Sequence, residues 1–371
     1  MAVASAPGTD SLAERAAKLR IVDTDIHHDL PGAATLRPYL ASKWHAWLED
    51  GGPSFAARGV AHVGSGRMDD SVNEADGLCA GDPDWVVEQL IKKYRIDLGI
   101  LTGTMYALNA QRDVRFLTAF ASAYNDWQLD RWVRPYPCFK ASIILAAQDP
   151  ESAAREVHRL GGDPGVVQVL LPGLGQIPFG QRIYWPIYRA AVEHGLPIGV
   201  HPTADVGNTG PQTSVGWYGS FLEHHTDHSQ AFMAQTISLI VEGVFEEFPS
   251  LKFALIEGGF GWAPYVAGRL DRIYPALRRE VPYLRKLPSE YLRDHFYFST
   301  QPIEEPKDPR HFEQMLRMVG EDKILFASDY PHWDFDNPLT VLHGLSPETR
   351  RKICVDNVLA CYGERLLEPS T

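Results

Sequence analysis

The chain has 371 residues, 44% hydrophobic and 22% charged, with a formal net charge of −12. That length suits two average domains or one α/β barrel, and the composition is that of a globular, enzyme-sized protein. The acidic excess argues against nucleic acids and anionic membranes as partners, since both need basic footprints, but not against a small anionic substrate, which answers to local charge. The four cysteines, Cys79, Cys138, Cys354 and Cys361, show neither C-x-x-C nor framework spacing. They read as reduced thiols in a cytoplasmic protein. Residues 1–20 lack an apolar run of signal-peptide length and are expected to be an N-terminal tail. No run approaches membrane-spanning length.

The first structured stretch, Ile21-Val22-Asp23-Thr24-Asp25-Ile26-His27, alternates. As a strand it puts Asp23, Asp25 and His27 on one face and Val22, Thr24 and Ile26 on the other. Three such groups are costly in a dry core unless something compensates their desolvation, and a metal ion would do so. Alone, the D-x-H is a weak signal and fits a solvated strand rim better. Further strand candidates follow at 95–103, 137–145, 165–171, 197–201, 251–258, 295–301 and 323–329. Most are apolar runs too continuous for a half-exposed hairpin, as expected of buried parallel strands. Helical patterns fall between them at 83–94, 109–134, 148–161, 181–194, 229–248, 308–320 and 346–363. Asp84, Asp149 and Ser346 occupy N-cap positions, Pro150 and Pro347 the first turns, and Gly195 a C-cap position. Repeated β-then-α units predict a (β/α)8 TIM barrel over 21–371 as one metal-dependent domain. An open doubly wound sheet would want a Gly-rich phosphate turn after the first strand, where the chain instead reads His28-Asp29-Leu30-Pro31.

Three connections are long: 28–82 after strand one, 202–228 after strand five and 261–293 after strand six. All leave from strand C-terminal ends, the catalytic face of such a barrel, so they are expected to act as lids or substrate walls, with 28–82 a lid-like insertion. Their aromatics, Trp44, Trp47, Trp217, Tyr218, Trp262 and Tyr265, are read mainly as lid packing. One or two lining a pocket would suit a flat organic substrate.

The strand ends carry the chemistry. Asp25 and His27 stand on strand one, His201 on strand five, Glu257 on strand six and Asp329 on strand eight. Two imidazoles and three carboxylates on one rim suit zinc or a harder divalent ion. Strand seven adds Thr300 and Gln301. In this order the motifs become specific: D-x-H at 25–27, His201-Pro202, Glu257-Gly258-Gly259-Phe260-Gly261-Trp262, Arg269-Leu270-Asp271 and Ser328-Asp329-Tyr330-Pro331-His332. The chain resembles the amidohydrolase superfamily, and within it the amidohydrolase-2 or ACMSD-like branch, related to aminocarboxymuconate-semialdehyde decarboxylase.

The resemblance implies that Asp25, His27, His201 and Asp329 hold one divalent ion. Many relatives have His where Asp25 stands; the added negative charge keeps Mn²⁺ or Fe²⁺ open beside the expected Zn²⁺. Binuclear members carry a carboxylated Lys after strand four. The stretch 166–175 has no Lys, and Lys140 within strand three reads as structural. Asp329 is the expected general base as well as a ligand. Glu257 stands where decarboxylases of the branch typically carry His. It is expected to act as acid, substrate anchor or orienting partner of His201, unless it is only a buried carboxylate on backbone donors. His225, in Glu223-His224-His225-Thr226-Asp227-His228, resembles a recurrent histidine of relatives and would supply the missing imidazole. His224 and His228 read as solvated or capping, His28 as a bystander, and His332 as fixing its loop or touching substrate. Arg58 or Arg67 would suit a carboxylate clamp, and His45 and His62 join no constellation.

The activity expected first is hydrolysis: a metal-bound water or hydroxide attacks an amide, lactone or activated carbonyl of a small, aromatic or cyclic substrate. The alternative is non-oxidative decarboxylation of a hydroxylated aromatic or unsaturated acid. The resemblance also allows a homodimer.

Overall fold

A computed structural model describes residues 11–49, 66–75, 77–103, 113–202, 216 and 218–370. The apolar runs form eight parallel strands: β1 Val22–Ile26, β2 Leu98–Leu101, β3 Phe139–Ile144, β4 Val166–Pro172, β5 Ile198–His201, β6 Phe253–Leu255, β7 Phe296–Ser299 and β8 Ile324–Leu325. They pair in sequence order from β1 to β8. The sheet then meets itself: Thr24 N donates to Phe326 O at 3.0 Å and His27 N to Tyr330 O at 2.8 Å. The expected (β/α)8 barrel is the fold. Its strands are shorter than the apolar runs. β6 ends at Leu255 and β8 at Leu325, and the chain turns left-handed beyond them, at Glu257 (φ 59°) and Asp329 (φ 58°).

Helices fill the crossovers: Val114–Gln128, Pro150–Leu160, Trp185–Glu193, Ser229–Val241, Pro309–Val319 and the segments Pro347–Arg351 and Asn357–Tyr362. Asp149 and Ser346 cap as expected, each accepting a backbone N–H of the first turn, with Pro150 and Pro347 just inside. Gly195, at φ 65°, ends its helix in the left-handed conformation a C-terminal glycine supplies. The cap before Pro83 is Asp82, not Asp84; Asp84 lies in the first turn and accepts the Tyr136 hydroxyl.

One insertion reads differently in three dimensions. Residues 261–293, expected as a wall, hold helices Ala263–Leu277 and Pro288–His295, the crossover from β6 to β7. Pro264 and Pro288 break the helical pattern by eye but sit in first turns, where a missing N–H costs nothing. The expected tail holds the capped helix Leu12–Lys18, and Arg351 Nη2 ties it down by donating to Ala16 O at 3.0 Å. At the barrel end away from the site, Lys140 is structural as expected. Its Nζ donates to Pro164 O (2.9 Å), Glu368 O (2.6 Å) and Ser370 Oγ (3.0 Å). No helix among the described residues is long and apolar enough to cross a membrane.

Candidate active site

β1 delivers Asp25 and His27, and β5 delivers His201, all wholly buried. Each imidazole is oriented by a carbonyl: His27 Nδ1 lies 2.7 Å from Gly103 O, and His201 Nδ1 lies 2.9 Å from Pro202 O. A carbonyl only accepts, so each Nδ1 carries the hydrogen and each Nε2 turns its lone pair inward. The two Nε2 atoms stand 3.2 Å apart. Carboxylates surround them: His27 Nε2 is 3.3 Å from Asp25 Oδ1 and 3.0 Å from Asp329 Oδ1. His201 Nε2 is 3.4 Å from Asp25 Oδ2 and 3.1 Å from Glu257 Oε2. Thr102 Oγ1 donates to Asp25 Oδ1 at 2.6 Å, whereas buried Asp25 Oδ2 accepts no hydrogen bond. Converging lone pairs with an unsatisfied carboxylate oxygen fit a divalent cation of the borderline to hard class.

Electrostatics tell the same story. Burial works to raise the Asp25 carboxyl, but His27 and His201 outweigh it and hold it well below the ordinary range. Burial likewise opposes His27, yet Asp25 and then Asp329 lift that imidazole well above its usual value. A field that so favours a proton also favours a cation. Burial, then the charges of Asp329 and Asp25, push Glu257 far up. Asp329, opposed by burial, is drawn down to about 2 by His332 and His27. His332 Nδ1 stands 2.5 Å from Asp329 Oδ1, so this histidine braces the carboxylate.

The five residues expected from sequence therefore converge, with one difference in grouping. Asp25, His27, His201 and Glu257 each offer a ligand atom within 4.8 Å of the others, while Asp329 groups with His27 and His332. Of the four non-glycine residues at positive φ among those described, two are Glu257 and Asp329. Left-handed backbone at such residues costs on the order of 1–3 kcal/mol each and concentrates at functional sites.

Behind Glu257 stand residues the sequence placed less well. His225 meets Asp334, Nε2 to Oδ2 at 2.9 Å, and Gln301 Nε2 donates to the same oxygen at 2.9 Å. His228 is not solvated: it is buried, with Nδ1 3.7 Å from Glu257 Oε1. His224 is buried too, edge-on to Tyr218. His224 lies within the helix Phe221–Thr226 and His228 directly before the helix Ser229–Val241. Asp334 was missed, although it follows Asp329 by five residues in an acidic, aromatic loop. His28 is the bystander expected, stacked on Trp127 and pushed down to about 3 by burial. His45 Nε2 stands 2.9 Å from Leu40 O, away from any cluster. Arg67 lies beside the site, paired with Asp29 at 3.2 Å and in a backbone bridge to His332. The lid aromatics Trp44 and Trp47 pack on each other and on Phe116, and Trp262 Nε1 donates to Gly258 O at 3.0 Å. Arg58, His62 and Trp217 lie outside the described residues.

Comparison with known proteins gives the lineage. The chain is 27% identical over 267 residues to a gamma-resorcylate decarboxylase of Polaromonas sp. strain JS666, covering 67% of this chain and 77% of that one. A gamma-resorcylate decarboxylase of Rhizobium sp. strain MTP-10005 matches at the same 27% identity, over 67% and 77%. Among solved structures, the fold is shared with 5-carboxyvanillate decarboxylase from Novosphingobium aromaticivorans, complexed with manganese and 4-hydroxy-3-methoxy-5-nitrobenzoic acid. That match has a TM-score of 0.69 at 21% identity and covers 93% of this chain and 96% of the other. The family model described as Amidohydrolase matches residues 85–363, and the chain belongs to that amidohydrolase family.

Proposed function

We propose that this protein is a metal-dependent, non-oxidative decarboxylase of a hydroxylated aromatic acid. The observation that carries the reading is the pair of inward Nε2 lone pairs, 3.2 Å apart and ringed by buried carboxylates, in a chain whose curated relatives are decarboxylases of this class. Hydrolysis, ranked first from sequence, gives way because none of those relatives is a hydrolase. Zinc loses its preference too, since manganese is the ion named with the solved decarboxylase.

Asp25, His27, His201 and Asp329 would hold the ion. Bound there, the ion supplies Lewis-acid polarisation of a substrate carboxylate and its adjacent phenolic oxygen. The chain's own groups do the rest. Gly103 O and Pro202 O keep both imidazoles in the ligating tautomer. The Asp329 carboxylate takes the phenolic proton and returns it to the ring carbon that bears the carboxylate, with His332 bracing it between the two events. The bond from that carbon to the carboxylate then breaks. Its electron pair restores the aromatic ring and leaves a phenolate, and CO2 departs, so no oxidant or co-substrate is needed. Arg67 and Met68, among the described residues of the insertion after β1, would wall one side of the site, Arg67 bridging to His332 and Met68 N donating to Pro331 O at 2.9 Å.

The test is a panel of hydroxybenzoates, lactones and amides with the manganese-loaded protein. Release of CO2, with one deuterium placed on the ring carbon in D2O, is expected. Uptake of ¹⁸O from water into a lactone or amide product, with no CO2 from any phenolic acid, would refute the reading.

A further inference from the structure

Asp329 holds the ion and moves the proton in the reaction above, yet regular sheet pairing does not carry it into place. β8, the shortest strand, pairs with β7 only at Ile324 and Leu325, and Asp329 lies beyond its end in the left-handed conformation, φ 58°. The seam with β1 rests on Thr24 N donating to Phe326 O at 3.0 Å, His27 N to Tyr330 O at 2.8 Å and the bridge of Ile26 with Tyr330. Between those two backbone bonds, side chains take up the peptide groups that lead into Asp329. Ala327 N donates to Thr300 Oγ1 at 3.1 Å, from the β7 side. Ser328 N donates to Asp23 Oδ1 at 3.0 Å, from the β1 side.

The same Asp23 oxygen accepts Asp25 N at 3.2 Å. One atom therefore ties the backbone of one ligand, Asp25, to the residue that precedes another, Asp329. Asp23, Thr300 and Ser328 are wholly buried, so an N–H that loses its acceptor there must move or stay unpaired. By alternation Asp23 shares the inward face of Asp25 and His27, where branched apolar side chains dominate in a barrel of this kind. A carboxyl group at such a position is costly unless its hydrogen bonds serve something beyond packing. Left-handed backbone at a non-glycine residue persists where its surroundings over-determine it. The clamps on residues 327 and 328 do so from one side of Asp329, and the His332 imidazole meets its carboxylate from the other.

We propose that Asp23 and Thr300 are positioning residues for the metal centre: together they fix the turn that presents Asp329 and set its place relative to Asp25 and His27 across the barrel seam. Neither touches the substrate in the reaction above. Loosening either clamp lets residues 327–329 shift, so the ion loses the geometry of one ligand. The proposal rests on the ion being held by Asp25, His27, His201 and Asp329 as described above.

The experiment is calorimetric titration of the metal-free, full-length protein with Mn²⁺, with electron paramagnetic resonance of the bound ion, for wild type, Asp23→Ala, Asp23→Asn and Thr300→Val. Asp23→Ala and Thr300→Val should each bind Mn²⁺ about 10–100-fold more weakly, with a changed zero-field splitting. Asp23→Asn, which keeps an acceptor oxygen, should recover most of the lost affinity. A purely structural role would lower unfolding stability and leave both readouts of the folded protein alone. Wild-type affinity with an unchanged spectrum in Asp23→Ala or Thr300→Val therefore overturns the proposal. Should Asp23→Ala fail to fold, Thr300→Val, which keeps the side-chain shape, decides by itself. Wild-type protein that binds no Mn²⁺ refutes the metal centre and the proposal with it. Mn²⁺ binding weakened as expected in the variants, without CO2 release by the wild type, removes the reaction and supports the positioning.

Discussion

Substituting Gly103 by Ala tests how tightly the first ligand sphere is braced. Gly103 has φ 67°, and a Cβ there would lie 2.3 Å from the Tyr124 hydroxyl and 3.0 Å from His28 Cε1. The left-handed conformation costs a non-glycine residue roughly 1–2 kcal/mol. Overpacking against a buried ring adds about 1–3 kcal/mol. The sum is a loss of about 2–5 kcal/mol, read by urea unfolding of the metal-free protein. The same substitution displaces the carbonyl that accepts from His27 Nδ1 at 2.7 Å, so Mn²⁺ affinity should fall about 10–100-fold. Adding Tyr124→Phe removes the nearest clashing atom. The double variant should regain part of the overpacking loss and none of the backbone strain. Wild-type stability and Mn²⁺ affinity in Gly103→Ala would refute the reasoning.

Three other outcomes follow from the same geometry. Thr102→Val removes the 2.6 Å hydrogen bond to Asp25; calorimetry should show Mn²⁺ bound about 10–100-fold more weakly, with the fold intact by circular dichroism. Removing metal by chelation should lower stability by about 4 kcal/mol relative to protein in Mn²⁺ at a thousand times its Kd, reversibly on adding Mn²⁺ back. Burial lowers the Lys140 ammonium to about 8. The unfolded chain therefore binds more protons between that value and the ordinary lysine pKa, and stability rises with pH across the window, by at most about 3 kcal/mol. The stability difference between wild type and Lys140→Met, measured by denaturation from pH 7 to 10.5, should move in favour of the wild type. A flat difference would contradict it.

Much of this molecule could be read in the chain because its strongest signals are local. Apolar patterning marks all eight strands, alternating in the first and continuous in most of the others, and it places Asp25, His27, His201, Glu257 and Asp329 at or near strand C-terminal ends. What escaped depends on where backbones turn. Helices Ala263–Leu277 and Pro288–His295 were hidden because prolines in first turns look like breaks. His228 read as solvated or capping, and only the fold turns it toward Glu257. The grouping of Glu257 with Asp25, His27 and His201 depends on a left-handed turn that no spacing announces. Asp334 reaches His225 across 109 positions of chain, a pairing without any local mark.

The two left-handed carboxylates also bear on how such a barrel would respond to selection. Glycine or asparagine at 257 and 329 would relax the backbone, so a library sorted for heat tolerance alone should drift toward those residues and go silent in turnover. Robustness and reactivity compete here over two torsion angles, and any effort to harden this scaffold would do well to leave both untouched.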